Sequence, residues 1–241
     1  MCPWFDSATG HHFFQRILKS QCLTHTGFFL FKSRYYPVRE FIQIYNPSQA
    51  NRTGVSKMNQ SIPILTTERL LLKAVTIQDE ADYKKHFVDY EVIQYLSTNV
   101  PWPYPEDGVE WFLNNLVLPR QGKDRWCFGI FLKTNPDELI GCVDLWREPV
   151  PENRGFWLGK KFWGHGYMTE AVAPVTNYAF NDLGFQKLYF TNAVGNLASR
   201  RVKEKSGATY IETRPAKFVS LEFTHTELWE LTKQNWITFS K

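Results

Sequence analysis

The residues best suited to chemistry lie in one stretch, Gly155 to Ala171, which reads GFWLGKKFWGHGYMTEA. Its first four residues, Gly155-Phe-Trp-Leu158, have the aromatic, apolar character of a strand. Two glycines one residue apart, Gly164 and Gly166, follow, and an apolar helical pattern begins near Tyr167. A strand that turns through glycines into a helix gathers unpaired backbone N–H groups at the positive end of the helix dipole. That arrangement binds phosphate or pyrophosphate, and glycine lets the ligand approach the backbone. Lys160 and Lys161, just ahead of the loop, could add charge. Spacing narrows the choice. A dinucleotide fingerprint needs a third glycine where Thr169 stands, and a Walker loop needs a lysine after Gly166, where Tyr167 stands. What remains is a basic residue followed by x-x-G-x-G, Lys161-Phe-Trp-Gly164-His-Gly166, with an ordinary strand–helix turn as the alternative.

The elements that must position this loop show in the hydrophobic pattern. Thr67-Glu-Arg-Leu-Leu-Leu72 reads as a first strand. Residues 77–95 read as a helix, capped by Thr76 or Asp79, with Tyr83, Phe87, Tyr90 and Ile93 apolar. Prolines at 101, 103 and 105 make a loop, and residues 106–118 a second helix. Trp126–Leu132 and Leu139–Trp146 read as strands in an antiparallel hairpin turned at Asn135-Pro-Asp-Glu. Cys127 and Cys142 on them read as small buried hydrophobes. The helix after the loop runs from Tyr167 to Asp182, with Pro174 inside it as a kink site, and Gly184 ends it. Lys187–Val194 is a strand, residues 195–207 carry a short helix, and Thr209–Arg214 with Thr224–Thr232 close the chain as a hairpin. Helices interleaved with a mixed, mostly antiparallel central sheet define an α/β (α+β) layered fold.

The 241 residues suit one medium-sized domain with an appendage. Residues 1–57 hold seven Lys/Arg against two acids, a net of +5, which leaves 58–241 with 21 against 22, a net of −1. The main body therefore lacks the electrostatic footprint of a nucleic-acid partner. No run reaches the roughly 18 apolar residues of a membrane span. Residues 1–57 read as an N-terminal extension, the alternative being a targeting segment, although no clean apolar core for a secretory signal is present. Residues 58–241 form the domain, with Met58 a natural start. Four cysteines make no disulfide framework, Cys2 and Cys22 lack metal spacing, and His11-His12 has no partner ligands. A reducing, cytoplasmic location and no metal are the expectations.

Three further local sequences turn the loop into a family resemblance. Leu65-Thr-Thr-Glu-Arg-Leu-Leu-Leu72 opens the domain, Asn196-Leu-Ala-Ser199 precedes Lys205-Ser-Gly207, and Thr226-Glu-Leu-Trp-Glu-Leu-Thr232 closes it. With Lys161–Ala171, and in this order, they make residues 62–236, about three quarters of the chain, resemble the GNAT N-acetyltransferases, most closely the RimJ/RimL type. Lys161 stands where that family usually has Arg or Gln. The resemblance implies that the strands at 155–158 and 188–194 are parallel neighbours that splay apart around acetyl-CoA. Its contacts would be Leu158, Lys161, Phe162, Trp163, Gly164, His165, Gly166, Tyr167, Met168, Thr169 and Asn196, with the pyrophosphate on the N–H groups of residues 162–167. His165 would serve through its backbone, and a strand N–H would polarise the acetyl carbonyl.

Amine attack on a thioester builds charge on the carbonyl oxygen, which a fixed N–H stabilises. It also needs a deprotonated amine and a proton for the departing thiolate. Here the sequence departs from the family. The tyrosine that often gives that proton, seven residues after the motif Asn, is Lys203. Ser199 is then the best donor, with Asn196 positioning coenzyme or substrate. The usual carboxylate aligns with Asn153, which leaves Glu152, Asp144 and Glu148 as candidate bases, each equally readable as a solvated charge. Glu170 complements the helix dipole, and Arg200 and Arg201 either meet a ribose phosphate or form a solvated face. The resemblance implies a primary-amine acceptor, first a protein N-terminal α-amine of ribosomal-protein type, then a small amine, in a monomer or homodimer. A fold that binds acyl-CoA without catalysis is the competing class.

Overall fold

The structure, a computed structural model, describes residues 61–147 and 152–239, all in the unit Lys57–Lys241. The extension at 1–57, with His11, His12, Cys2 and Cys22, and the candidate base Glu148 lie outside the described residues.

The chain opens with a small hairpin, β1 (Leu65–Thr66) and β2 (Leu70–Ala74). Thr67, Glu68 and Arg69, expected to begin the first strand, form its turn, with Thr67 N donating to Leu70 O at 3.0 Å. The expected helix over 77–95 divides. Thr76 and Asp79 bond each other across a 3-10 turn (Thr76 N to Asp79 Oδ2, 2.7 Å) and α1 runs over Glu80–Phe87. Asp89 then adopts an extended backbone, and its carboxylate takes the Glu91 N–H at 2.9 Å, which starts α2 (Tyr90–Ile93) anew. The next helix is likewise shorter than its apolar face suggests: α3 (Gly108–Phe112) widens into a π turn over Leu113–Val117.

β3 (Arg125–Leu132) and β4 (Asn135–Trp146) pair antiparallel. The reversal falls at Lys133-Thr134, so Asn135-Pro-Asp-Glu belongs to β4 rather than to the turn. Ile130 faces Gly141 while Phe131 faces Leu139, so Ile140 is an extra, bulged residue. Its carbonyl accepts the Gly159 N–H at 2.9 Å, at the entrance to the glycine loop. β5 (Arg154–Leu158) completes a five-stranded antiparallel sheet in the order β1-β2-β3-β4-β5. After α4 (Tyr167–Asn181), β6 (Lys187–Ala193) starts a second sheet, β6-β8-β7, with α5 (Leu197–Glu204) between β6 and β7 (Thr209–Pro215) and β8 (His225–Thr232) in its centre. α6 (Lys233–Phe239), too short to show a period in the sequence, anchors Trp236, whose indole N–H reaches Asn177 Oδ1 on α4 at 2.7 Å.

Alternation along the strands supplies a core on each face of the first sheet. Leu70, Leu72, Phe128 and Ile130 pack under Ala171, Val175 and Ala179 of α4. Val75, Phe131, Leu139 and both buried cysteines, Cys127 and Cys142, pack against Tyr83 and Phe87 of α1 and Val109 of α3. The hydrogen bond with Cys142, and then burial, raises the Cys127 thiol well above its ordinary value, as suits inert core residues.

All of these elements lie between residues 61 and 239, so a chain begun at Met58 is expected to keep the melting temperature of the full chain. A drop of several degrees would instead show that the first 57 residues pack on the domain, at about 1.5–3 kcal/mol per large side chain buried.

Candidate active site

Among the described residues, the backbones of the two sheets are joined by hydrogen bonds at Asn153. Asn153, just ahead of β5, donates its N–H to Tyr189 O of β6 at 2.8 Å and accepts the Tyr189 N–H on its Oδ1 at 3.3 Å. Beyond that point β5 and β6, joined by the α4 crossover that parallel neighbours require, belong to different sheets. Gly159 N bonds to Ile140 O, which sets the odd-numbered residues of β5 in the hydrogen-bonded pairs with β4. The N–H groups of Phe156 and Leu158 consequently face away from β4, along the open edge. The Leu158 carbonyl on that edge takes the indole N–H of Trp163 at 2.7 Å.

The glycine loop follows directly. The N–H groups of Phe162 and Trp163 close the 3-10 turn Lys160–Phe162, bonding to Gly159 O (2.9 Å) and Lys160 O (3.1 Å). The open donors are therefore shifted from the expected 162–167: the N–H groups of residues 164–169 find no backbone acceptor among the described residues. Gly164 (φ +80°) and Gly166 (φ +79°) are both left-handed, and Gly166 is the N-cap of α4. A Cβ at Gly164 would meet nothing within 4 Å, and one at Gly166 only the Arg69 guanidinium at 3.6 Å. The N–H groups thus open onto free space at a helix N-terminus, which is the geometry of an anion cradle. His165 is exposed and stacks on Tyr167 at 5.5 Å. Met168 is buried beneath the loop, and Thr169 is partly exposed.

Charged contacts fix this loop from three sides, and they engage the cations that the sequence offered to a ligand. Lys160 Nζ lies 2.5 Å from Glu91 of α2. Lys161 Nζ lies 2.9 Å from Glu138 Oε1 of β4, an oxygen shared with Lys85 Nζ (2.9 Å) and His86 Nε2 (2.8 Å) of α1. Asp82, His86 and Glu138 bring potential ligand atoms within 4.8 Å of one another, and Glu138 is already bonded to the two ammonium groups. The hydrogen bonds from Lys85 and Lys161 bring the Glu138 carboxyl down from 4.5 to about 2, against the effect of burial. Glu170, read as a dipole partner, does more than that. It accepts from Thr67 Oγ1 (2.5 Å), Arg69 N (2.9 Å) and Arg69 Nε (2.7 Å), tying α4 to the β1–β2 turn. Burial opposes its charge, yet those bonds hold its carboxyl below the ordinary value.

The other wall of the opening is built from β5, β6, β8 and α5. Asn196 caps α5, with Oδ1 accepting the Ser199 N–H at 3.1 Å. Ser199 is partly exposed, and its Oγ accepts from Lys203 Nζ at 2.8 Å. Glu152 accepts from Thr191 Oγ1 of β6 at 2.6 Å, at the base of the opening. Of the other candidates, Asp144 is buried and ion-paired with Arg125 (Nε to Oδ2, 2.9 Å). Arg200 is held by Glu204 (2.8 Å) and Glu227 (3.0 Å), while Arg201 is exposed. Neither the Glu138 nor the Glu170 anchor is visible in the sequence, because both join segments more than twenty residues apart.

Residues 69–209 match the model of the acetyltransferase (GNAT) domain. The chain belongs to that family, and it is an acyltransferase of the N-acetyltransferase class. It is similar to the FsC-acetyl coenzyme A-N(2)-transacetylase of Aspergillus fumigatus, 27% identical over 194 residues that cover 74% of this chain and 80% of the relative. Its fold is similar to that of the spermidine N-acetyltransferase from Vibrio cholerae, solved with CoA and spermine (TM-score 0.60, 16% identity, 71% of this chain and 99% of that one). The ribosomal-protein-S5-alanine acetyltransferase from Vibrio fischeri is similar to the same degree (TM-score 0.61, 15% identity, 72% and 98%).

The Glu138 cluster makes a prediction about pH. A carboxylate whose folded value is depressed stabilises the fold above its unfolded value of 4.5, and that contribution is lost as pH falls through about 2. Both lysines are more than half exposed, so the net effect is about 1 kcal/mol. Urea unfolding at pH 7 and pH 3 should show Glu138→Gln less stable by that amount at pH 7, with a shallower loss on acidification; identical curves would contradict it.

Proposed function

We propose that the domain transfers the acetyl group of acetyl-CoA to a protein N-terminal α-amine, in the manner of the RimJ/RimL type. The observation that carries the site assignment is the opening between β5 and β6, with the unpartnered N–H groups of residues 164–169 at one end. The pyrophosphate sits on those N–H groups, and the pantetheine arm runs along the open β5 edge. There the N–H of Leu158 or Phe156 faces the acetyl carbonyl and stabilises the charge that amine attack builds on its oxygen. Ser199, partly exposed on the other wall, gives a proton to the sulfur as it leaves, and Asn196 fixes Ser199 by capping its helix. Glu152, at the base of the opening, is the carboxylate placed to take the proton of the incoming amine.

Acceptor class rests on the surface formed by the first helices. Tyr90, Trp102 and Trp111 are large aromatics left exposed there, with Tyr90 and Trp102 in ring contact at 5.3 Å. Such a surface suits a peptide chain. A polyamine calls for unengaged carboxylates, and Glu152 and Glu227, which contact β6, are both bound to protein partners. A protein acceptor of this kind is a cytoplasmic one. The small-amine reading keeps its own support in the transacetylase and spermidine-acetyltransferase relatives.

Two measurements test the reading. Gly166→Ala should weaken coenzyme A binding at least tenfold by calorimetry, because its Cβ enters the cradle and its φ is left-handed. Gly184→Ala, at φ +71° with open space around it, carries the same backbone cost of about 1–2 kcal/mol without the affinity loss. Equal affinities in the two variants would contradict the loop assignment. Thiol release from acetyl-CoA across peptides with free N-termini, spermidine and other small amines decides the acceptor, and turnover of small amines alone would overturn the peptide reading.

A further inference from the structure

Lys203 stands seven residues after Asn196, where the resemblance led to a tyrosine, and its environment is unusual. The residue is 1% exposed. It lies on the last turn of α5, with its Nζ donating to Ser199 Oγ at 2.8 Å and 5.5 Å from the centre of the Phe156 ring. Phe156 belongs to β5, so the amine sits inside the wall between α5 and the open strand edge. The groups that face it are Arg154 and Glu152 from the β5 side and Glu227 from β8. Arg154 is itself buried, its Cζ 4.0 Å from the centre of the Phe190 ring, and two of its nitrogens lack a partner among the described residues.

The direction of the hydrogen bond matters most. Because Ser199 Oγ accepts from Lys203, its own hydroxyl proton is free to point elsewhere. Ser199 is partly exposed, and no second acceptor for that proton occurs among the described residues. A hydroxyl alone is a poor acid. A hydroxyl backed by an ammonium can surrender its proton and be refilled in the same movement.

We propose that Lys203 is the proton source behind Ser199: its ammonium refills the Ser199 hydroxyl as that hydroxyl protonates the departing coenzyme A thiolate. This rests on the acetyltransferase reading of the opening and adds a positioning residue to it. In the step, the bond from the acceptor nitrogen to the acetyl carbon forms and the bond from carbon to sulfur breaks. The sulfur takes the Ser199 proton, the serine oxygen takes one from Lys203, and the neutral amine regains a proton from solvent, into which Glu152 releases the one it has taken from the acceptor nitrogen. Burial, then the Arg154 charge, pulls Lys203 well below the ordinary lysine value, against the pull of Glu227 and Glu152. That is the direction which makes an ammonium a readier acid. The contribution is present at low pH and is lost as pH rises through the lowered value.

The test uses the full chain with coenzyme A as probe, and reads the ultraviolet absorbance of its thiolate against pH. Free thiols of this kind titrate near about 8.5. Bound to the unaltered chain, the thiol should become about tenfold more acidic, because thiolate and ammonium form together. Lys203→Met and Ser199→Ala should each abolish that change while leaving acetyl-CoA affinity, which involves no thiol, unaltered. Lys203→Arg keeps a charge but does not yield its proton, so it should leave the thiol acidic yet fail to support turnover of any amine that the unaltered chain acetylates. Thiol titration that is the same in the unaltered chain and Lys203→Met overturns the proposal while the acetyltransferase reading stands. Failure of the unaltered chain to bind coenzyme A overturns both.

Discussion

Asn153 holds the two sheets together at one point and lets them part beyond it. Its N–H and its side-chain oxygen satisfy both hydrogen-bonding groups of one position on β6, Tyr189 O and Tyr189 N. A regular ladder would have continued the pairing and closed the sheet. Here the carboxamide ends it, and the edge of β5 is left with the N–H groups of Phe156 and Leu158 unpaired by a strand. Unpaired backbone in a protein interior is costly, so an opening of this kind persists only where something else satisfies it. The proposed site follows from that constraint, since it assigns to a ligand the donors that the second sheet does not take.

An open edge would be of little use if the loop at its end were mobile, and the charged contacts answer that need. Glu138 gathers Lys85, His86 and Lys161 on one oxygen, and Glu170 gathers Thr67 and Arg69. The first links the loop to α1 and β4, the second links α4 to the β1–β2 turn. Both leave the backbone N–H groups as the donors at the loop, because the neighbouring cations are already engaged. The bulge at Ile140 has the same purpose, turning a carbonyl towards Gly159 where the loop begins. Preorganisation of this sort holds donors in place before charge develops.

Much of this was legible in the residues. Glycine spacing located the loop, because left-handed backbone is a local property that a sequence displays, and both Gly164 and Gly166 adopt it. Trp126–Leu132 and Leu139–Trp146 were legible as strands because each is a short, nearly continuous apolar run, as suits a strand buried on both faces. The helix over 77–95 was misread because Asp89 competes for its own backbone, and a carboxylate that caps one helix also ends another. The turn at Asn135 was misread because composition outweighed the two-residue hairpin at Lys133-Thr134. Lys203 could be read only as a missing tyrosine. Its burial beside Ser199 depends on Phe156, Arg154 and Glu227, which come from distant strands, and nothing in residues 196–207 announces it.

In the proposed arrangement one opening holds the whole coenzyme, pyrophosphate at the α4 N-terminus and sulfur beside Ser199. A crystal structure of the chain grown with coenzyme A tests it directly. Pyrophosphate oxygens should lie at hydrogen-bonding distance, roughly 2.7–3.2 Å, from N–H groups within residues 164–169, with the pantetheine between β5 and β6 and the sulfur next to Ser199 Oγ. Coenzyme bound elsewhere, or a pyrophosphate held by side chains with those N–H groups facing solvent, would contradict it.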